Sequence, residues 1–316
     1  MRAKNALKIA VGNYSLVFKN LLYKAVLFVV FAVLLGLVLK LTLEPFIDQL
    51  RPVFSSVYEL IKAIVSGDAH ETAITALKDS VGAFFNHLSN NIGGIVWMII
   101  IVVIFTFVYR FLSGVSDCTL MILVNDHMAE LAHRGYIGVM VENLKKILVY
   151  QLIDAVSALI WTAITGFAVW GAFSLFALIT PLLSLFGALL VIILSTSLYN
   201  TVFSQVMANV LLGRHKSVKQ AVKEGFSFKK EYFWKMFVAY LSAIIILVYL
   251  HASVTVFTFG VGELLLIPFA SLLIVCMKTV DYYTICKKKY FIDYDTIIIP
   301  KELRENDENL LSNVDI

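Results

Sequence analysis

Residues 155–213 read AVSALIWTAITGFAVWGAFSLFALITPLLSLFGALLVIILSTSLYNTVFSQVMANVLLG and contain no Asp, Glu, Lys or Arg. As a single helix, this stretch would be about 88 Å long, whereas the hydrocarbon core of a bilayer is about 30 Å thick. The chain must therefore fold back, and Pro181 with the neighbouring Thr180 and Ser184 marks the natural turn. The stretch predicts two membrane-spanning helices joined by a short connection.

The same reasoning applied to the rest of the chain predicts four more spans. Residues 236–277 hold one histidine, His251, and one acid, Glu263, but no Lys or Arg, and Gly260 and Gly262 mark a turn between two apolar halves. Two further apolar runs precede the long uncharged stretch. The six predicted spans cover about 21–43, 92–112, 152–176, 182–211, 236–258 and 264–285. Apolar residues keep a helical rhythm past the second and fourth spans, which predicts extensions beyond the bilayer.

The composition agrees with a membrane protein and excludes other classes. Of the 316 residues, 60% are apolar and 15% are charged, and the mean hydropathy is +0.86. Soluble domains carry about 25% charged residues, so the chain is neither an ordinary soluble domain nor a disordered protein. We predict an all-α fold, a polytopic membrane helix bundle with six transmembrane helices. One membrane domain covers 1–292, and a polar tail covers 293–316.

The distribution of charge predicts the orientation in the membrane. Six spans place both termini on one side, and Lys and Arg concentrate there, in 1–24, 213–235 and 287–289. On the opposite side, the segment 44–91 holds three Lys or Arg residues and six acids. Cytoplasmic loops carry an excess of Lys and Arg. Both termini are therefore predicted to be cytoplasmic, in a multi-pass protein of the plasma membrane.

Basic amphipathic stretches precede the first, third and fifth spans, over 6–24, 137–150 and 217–235. We predict three units, each with an elbow at the anionic headgroup surface followed by two spans. Alternatively, these basic residues only obey the topology rule. The predicted headgroup-binding residues are Arg214, Lys216, Lys219, Lys223, Lys229, Lys230 and Lys235.

The segment 44–91 has apolar residues at helical spacing on both sides of Ser66-Gly67-Asp68. This pattern predicts an outer amphipathic helical hairpin that lies on the membrane surface or caps the bundle. Simple packing on the bundle and a role as a gate or substrate entrance both remain open.

Polar side chains inside the predicted spans are candidates for function, because hydrocarbon penalises them. The fourth span carries a dense polar stripe in which Asn200, Ser204 and Gln205 share a face. Such a face lines a water-filled path in some proteins and joins helices by hydrogen bonds in others. His251 needs a partner, either for structure or for proton transfer. The predicted polar path consists of Asn200, Ser204, Gln205, Asn209, His251 and Asp154.

Several chemistries lack their sequence signals. The chain has no G-x-x-x-x-G-K-[ST], no G-x-S-x-G and no H-E-x-x-H, and its three cysteines form no C-x-x-C. His127, Glu130 and His133 stand close in sequence but do not share one helix face. We predict no enzymatic activity, no metal and no cofactor. A net charge of +4 is also too small to indicate nucleic acid.

One segment carries a family resemblance. The elbow Gly213-Arg214-His215-Lys216-Ser217-Val218-Lys219-Gln220-Ala221-Val222-Lys223, with Phe233-Trp234-Lys235 after it, resembles a group of bacterial six-span membrane proteins. The group includes the membrane domain attached to some glycerophosphodiester phosphodiesterases, in which a G-x-x-x-S-x-x-x-A-x-x elbow precedes the fifth span. The resemblance implies a bacterial plasma-membrane protein. These residues contain no counterpart of the phosphodiesterase catalytic domain, so the resemblance implies no such activity.

Two functions fit these features. The first is a transporter-like or lipid-handling permease with a polar path along the fourth span. The second is a non-enzymatic membrane scaffold or assembly factor that docks a cytoplasmic partner through its basic elbows. An intramembrane enzyme fits least, because no nucleophile, base or metal set assembles. The expected partners are the lipid bilayer and its anionic headgroups, with a cytoplasmic protein or a second copy of the chain as further candidates.

Overall fold

A computed structural model describes residues 2–42, 44–66, 71–90, 92–131, 134–213, 215, 217–227, 230–293 and 295–300. Within these residues the chain forms eleven helices and one two-stranded sheet. The helices are α1 (Arg2–Gly12), α2 (Ser15–Thr42), α3 (Glu44–Ser66), α4 (Glu71–Asn90), α5 (Ile92–Met128), α6 (Tyr136–Glu142), α7 (Leu144–Ala177), α8 (Pro181–Leu212), α9 (Val218–Phe226), α10 (Lys230–Thr258) and α11 (Glu263–Ile285). The strands are β1 (Tyr290–Asp293) and β2 (Thr296–Ile298).

Six of the described helices are long and apolar enough to cross a membrane, so the chain is a multi-pass membrane protein with the predicted all-α fold. The spanning stretches are Ser15–Val38, Ile100–Met128, Leu144–Ala177, Leu183–Leu212, Tyr232–Thr258 and Glu263–Ile285. The helix of the second span, predicted at 92–112, continues without a break to Met128, which confirms the predicted continuation of the helix past that span.

A short elbow helix precedes each pair of spans, which confirms the predicted three-unit plan. The elbow helices α1, α6 and α9 come directly before α2, α7 and α10. Each elbow buries apolar side chains, for example Ala6 and Ile9 of α1, Val139 of α6 and Ala221 of α9. Helices of this length depend on such packing for their stability. We call the side on which α2, α7 and α10 begin the elbow side.

The chain reverses direction at both of the predicted tight turns. Thr180 caps α8 by accepting a hydrogen bond from the Leu183 amide at 3.2 Å, and Pro181 follows at the first helical position. Between α10 and α11, Gly260 adopts a φ of +84°, which a residue without a Cβ tolerates at little cost.

The chain divides into two compact units, Met1–Ala25 with Phe111–Ile316, and Val26–Arg110. In the smaller unit, α3 and α4 pack together as the predicted amphipathic hairpin. The Ser80 hydroxyl donates to the Ser56 hydroxyl at 3.1 Å between these two helices.

The larger unit holds the buried core, to which Met121 of α5, Val206 of α8 and Leu272 of α11 contribute fully buried side chains. Its β1 and β2 pair as an antiparallel hairpin, with Tyr290 opposite Ile298. This hairpin straddles residue 293, where the sequence analysis begins the polar tail. Residues 301–316 of that tail lie outside the described residues.

Candidate functional site

An apolar groove of about 490 Å³ lies between α7, α8 and α10. Ligand pockets in proteins range from about 300 to 1,000 Å³, so the groove is large enough for a small ligand or part of a lipid. Its lining is hydrocarbon and aromatic carbon with only a few hydroxyl groups. The lining residues are Trp161, Ile164, Thr165, Ala168, Val191, Leu194, Ser195, Leu198, Phe233, Trp234 and Phe237.

The polar side chains that α7 and α8 contribute to the groove bond to one another, whereas α10 contributes the indole N–H of Trp234. The Trp161 indole N–H donates to the Ser195 hydroxyl at 2.9 Å, and the Ser195 and Thr165 hydroxyls lie 2.5 Å apart. Because Thr165 donates its own proton to the Trp161 carbonyl at 2.8 Å, Ser195 is the donor to Thr165. All three side-chain donors are thus used within a closed ring of hydrogen bonds. The groove offers a ligand no spare donor from this ring.

Aromatic side chains of α10 form one edge of the groove. Phe233, Trp234 and Phe237 recur at helical spacing, and Trp234 is 56% exposed. Phe233 and Phe237 are nearly parallel, and Trp234 stands edge-on to both. Tryptophan is typical of positions where a helix meets the membrane interface.

A row of aromatic rings joins the groove to the elbow helix α9. The ring of Trp161 contacts that of Tyr199 at 5.8 Å, Tyr199 stacks on Phe203 at 4.5 Å, and Phe203 meets Phe226 of α9 edge-on at 5.6 Å. The close approach of α9 depends on Gly225, which lies against the Val206 backbone. The elbow helix α9 is therefore packed directly on α8, one of the three helices that line the groove.

Asp154, one of the predicted polar-path residues, lies beside this aromatic row. The carboxylate is buried and accepts hydrogen bonds from the hydroxyls of Tyr199 at 2.8 Å and Tyr150 at 3.3 Å. Asp154 precedes Trp161 by seven residues and therefore shares its face of α7. The two phenols offset part of the cost of holding this acid inside the protein.

The predicted polar stripe of α8 bonds mainly to its own helix. Asn200, Ser204 and Asn209 each donate to a carbonyl three or four residues earlier, at 2.9–3.1 Å. Ser204 and Gln205 are buried, and the Gln205 amide nitrogen has no hydrogen-bond partner among the described residues. Gln205 and Asn209 follow Leu198 by seven and eleven residues, so both continue the groove-lining face of α8 toward the elbow side.

His251, the remaining polar-path residue, lies in a separate cluster. Its Nδ1 is 2.5 Å from a carboxylate oxygen of Glu263, and the Thr255 hydroxyl donates to the other carboxylate oxygen at 2.8 Å. Glu263 is the first residue of α11. The partner that His251 needs therefore comes from the turn between the last two spans.

The predicted headgroup-binding residues divide into two groups. Lys219, Lys223 and Lys235 are exposed, and Lys230 is the first residue of α10. The remaining members, Arg214, Lys216 and Lys229, lie outside the described residues.

A polar cluster that sequence reasoning missed joins three spans. Lys24 of α2 donates to Asp117 of α5 at 3.0 Å and to the Ser271 hydroxyl of α11 at 3.0 Å. Ser271 also donates to Asp117, at 2.5 Å. All three residues lie in membrane-spanning stretches. The available signal was the presence of a lysine and an aspartate within largely apolar helices, because such residues usually pair.

The buried Asp281 of α11 also has a partner that the sequence analysis did not identify. Arg2 of α1 approaches its carboxylate at 3.4 Å and lies over the Tyr232 ring at 5.6 Å. The contact fastens the N-terminal elbow to the last span.

In the described part of the chain, no group of three or more His, Cys, Asp or Glu side chains has the spacing of a metal site. Comparison with protein-family models, with curated proteins and with solved structures finds no match to this chain.

Proposed function

We propose that this multi-pass membrane protein handles lipids of the plasma membrane, without enzymatic chemistry, and that the groove between α7, α8 and α10 holds an acyl chain. The observation that carries the proposal is the closed ring of Trp161, Ser195 and Thr165 in a lining whose other side chains are aliphatic or aromatic. A ligand with polar groups at this depth would find no free donor from the ring and would lose its own hydration. A hydrocarbon chain loses nothing there.

The polar-path residues support transport of a polar solute less well. The side chains of Asn200, Ser204 and Asn209 donate to carbonyls of their own helix. Asp154 accepts hydrogen bonds from two tyrosine hydroxyls, and His251 is bonded to Glu263. A solute path needs donors and acceptors that are available to the solute. Gln205, whose amide nitrogen has no partner among the described residues, instead places a polar group beyond the elbow-side end of the groove, which is the pattern expected for an amphiphile.

The orientation belongs to the same proposal. With both termini in the cytoplasm, the elbow side faces the cytoplasmic leaflet, and the elbows lie at its headgroups. The groove then receives a chain from that leaflet.

Tryptophan fluorescence tests the proposal. Replacing Trp97 and Trp170, both highly exposed, by Phe leaves Trp161 and Trp234 as reporters that line the groove. The purified protein in detergent is titrated with phosphatidylcholine that carries brominated acyl chains, which quench tryptophan on contact. We expect saturable quenching at about one lipid per protein.

A matched pair of variants separates the groove from the general lipid-facing surface. Ala168→Phe fills the groove, whereas Ala163→Phe adds the same ring at an exposed position of α7 outside the lining. We expect Ala168→Phe to weaken quenching at least fivefold and Ala163→Phe to leave it unchanged. Quenching that does not saturate, or that is equal in both variants, contradicts the acyl-chain proposal.

The scaffold function is the second candidate, and the surface of α1 favours it. Lys4 and Lys8 are exposed together with the apolar Leu7 and Val11. Such a mixed surface suits a protein partner as well as a membrane. Cross-linking from position 8 in intact cells to one specific protein, together with unsaturable lipid quenching, would favour the scaffold.

A further inference from the structure

Four exposed lysines lie on the elbow side, at the start of α7 and on the elbow helix α9. Helix α7 has Lys145 and Lys146 in its first turn, both exposed, and no acid there. The elbow helix α9, between α8 and α10, exposes Lys219 and Lys223. In the described part of the chain, none of these four lysines forms an ion pair.

The exposed acids in the same elbows already have partners. Glu142, at the end of α6, accepts from Arg134 at 3.0 Å. Glu224 of α9 pairs with His215 at 3.3 Å and accepts from Gln220 at 2.9 Å. The four lysines outnumber these two acids, so these elements carry a net positive charge that complements a negatively charged ligand.

The geometry of α7 connects this charge to the groove. Lys146 precedes Ile164, which lines the groove, by about five helical turns, so the two residues lie on one face of α7. On α8, Gln205 and Asn209 continue the groove face in the same direction. A ligand with its chain in the groove thus has its polar end on the side where the lysines lie.

We propose that the lipid in the groove is an anionic phospholipid of the elbow-side leaflet, whose phosphate lies among Lys145, Lys146, Lys219 and Lys223. This inference rests on the proposed acyl-chain function and names the headgroup class. Lysine ammonium groups attract phosphate as point charges. Each further lysine near the membrane surface increases this attraction. A zwitterionic lipid of the same chain length gains less binding energy from the lysines, because the ammonium group of its headgroup offsets the charge of the phosphate.

The experiment compares brominated phosphatidylglycerol with brominated phosphatidylcholine in the Trp97→Phe/Trp170→Phe protein. We expect phosphatidylglycerol to reach half-maximal quenching at a concentration at least tenfold lower. Raising NaCl from 50 mM to 500 mM is expected to remove most of this preference, because salt screens exposed charges. Inorganic phosphate at 10 mM is expected not to reverse the quenching, since it has no chain for the groove.

A quadruple variant changes four lysines to Gln: Lys145, Lys146, Lys219 and Lys223. It should bind both lipids with the affinity that the unchanged protein has for phosphatidylcholine. The control changes Lys62 and Lys78, exposed lysines of the α3–α4 hairpin, to Gln and should keep the tenfold preference. If the two lipids quench equally in the protein that keeps all its lysines, the headgroup inference is overturned but the acyl-chain proposal stays intact. Absence of saturable quenching by either lipid overturns both.

Discussion

Gly225 of α9 lies directly against the backbone of Val206 in α8. A Cβ placed on Gly225 would be 2.6 Å from the Val206 Cα and 2.9 Å from its nitrogen, distances that side chains essentially never reach. Because the obstacle is backbone, no rotamer change relieves it. The position of the elbow on α8 therefore depends on a residue with no side chain.

Gly225→Ala is expected to loosen α9 from α8. The added methyl group forces the two helices apart at the contact and costs about 1–3 kcal/mol, as overpacking does elsewhere. We expect faster hydrogen exchange of the amides of 218–227 and a lower thermal midpoint. Gly138→Ala, in the elbow helix α6, is the control because a Cβ there has no atom of the described residues within 4 Å. Equal exchange in the two variants would contradict the close packing.

Ser195→Ala is expected to destabilise the hairpin of α7 and α8. The change leaves the Trp161 indole N–H without its acceptor and the Thr165 hydroxyl without its donor. Because these bonds are partly buried, we expect a cost of about 1 kcal/mol, the lower end of the range for buried bonds. The free energy of unfolding in a denaturing-detergent titration measures the loss. Ser242→Ala is the control, because Ser242 is exposed and donates to the Val238 carbonyl of its own helix. A loss as large in the control would refute the role of the ring.

The Lys24–Asp117 pair is expected to show energetic coupling. Lys24→Leu or Asp117→Leu alone leaves a charge in an apolar region, and each should lower the free energy of unfolding by about 1.5–3 kcal/mol. The double variant should lose less than the sum of the single variants, because it removes both charges together. Lys19→Leu, an exposed position on the same helix, should change stability by less than about 0.5 kcal/mol. Additive losses would show that the pair does not interact.

Sequence reasoning predicted the fold where the signal is local. The turns at Pro181 and Gly260 follow from residue types that fix or permit particular backbone angles. The spans follow from apolar length, and the elbows from amphipathic rhythm beside basic residues. Each of these signals is contained in fewer than about 30 consecutive residues, since a bilayer is crossed by about 20.

The candidate site depended on contacts that local sequence does not contain. Lys24 meets Asp117 and Ser271 only after three spans pack together. The groove needs α10 beside the hairpin of α7 and α8, and no residue of α10 signals this neighbour. His251 was identified as needing a partner, but its pairing with Glu263 depends on how the α10–α11 turn closes. The prediction that Asn200 and Gln205 share one face of α8 is wrong, because five residues along a helix separate two side chains by about 140°. Gln205 and Asn209 continue the groove face, and Asn200 lies away from it.

Cys286 tests the orientation of the chain. It follows the end of α11 on the elbow side and is exposed, whereas Cys118 and Cys276 are buried. A membrane-impermeant maleimide should label Cys286 in inside-out vesicles and not in intact cells. Val261 lies in the turn on the opposite side and is 68% exposed. A Val261→Cys variant in a Cys286→Ser background should therefore show the reverse labelling pattern.

The rate of that labelling should depend on pH in a defined direction. Partial burial raises the pKa of the Cys286 thiol above its ordinary value, and the nearby Lys288 opposes the rise only in part. Maleimide reacts with the thiolate, so at pH 7 the reaction should be slower than with a free small thiol, and it should continue to accelerate above the ordinary thiol pKa of about 8.5. Rates from pH 6.5 to 9.5 measure this. Labelling of Cys286 in intact cells at any of these values would place the elbow side outside and reverse the proposed leaflet.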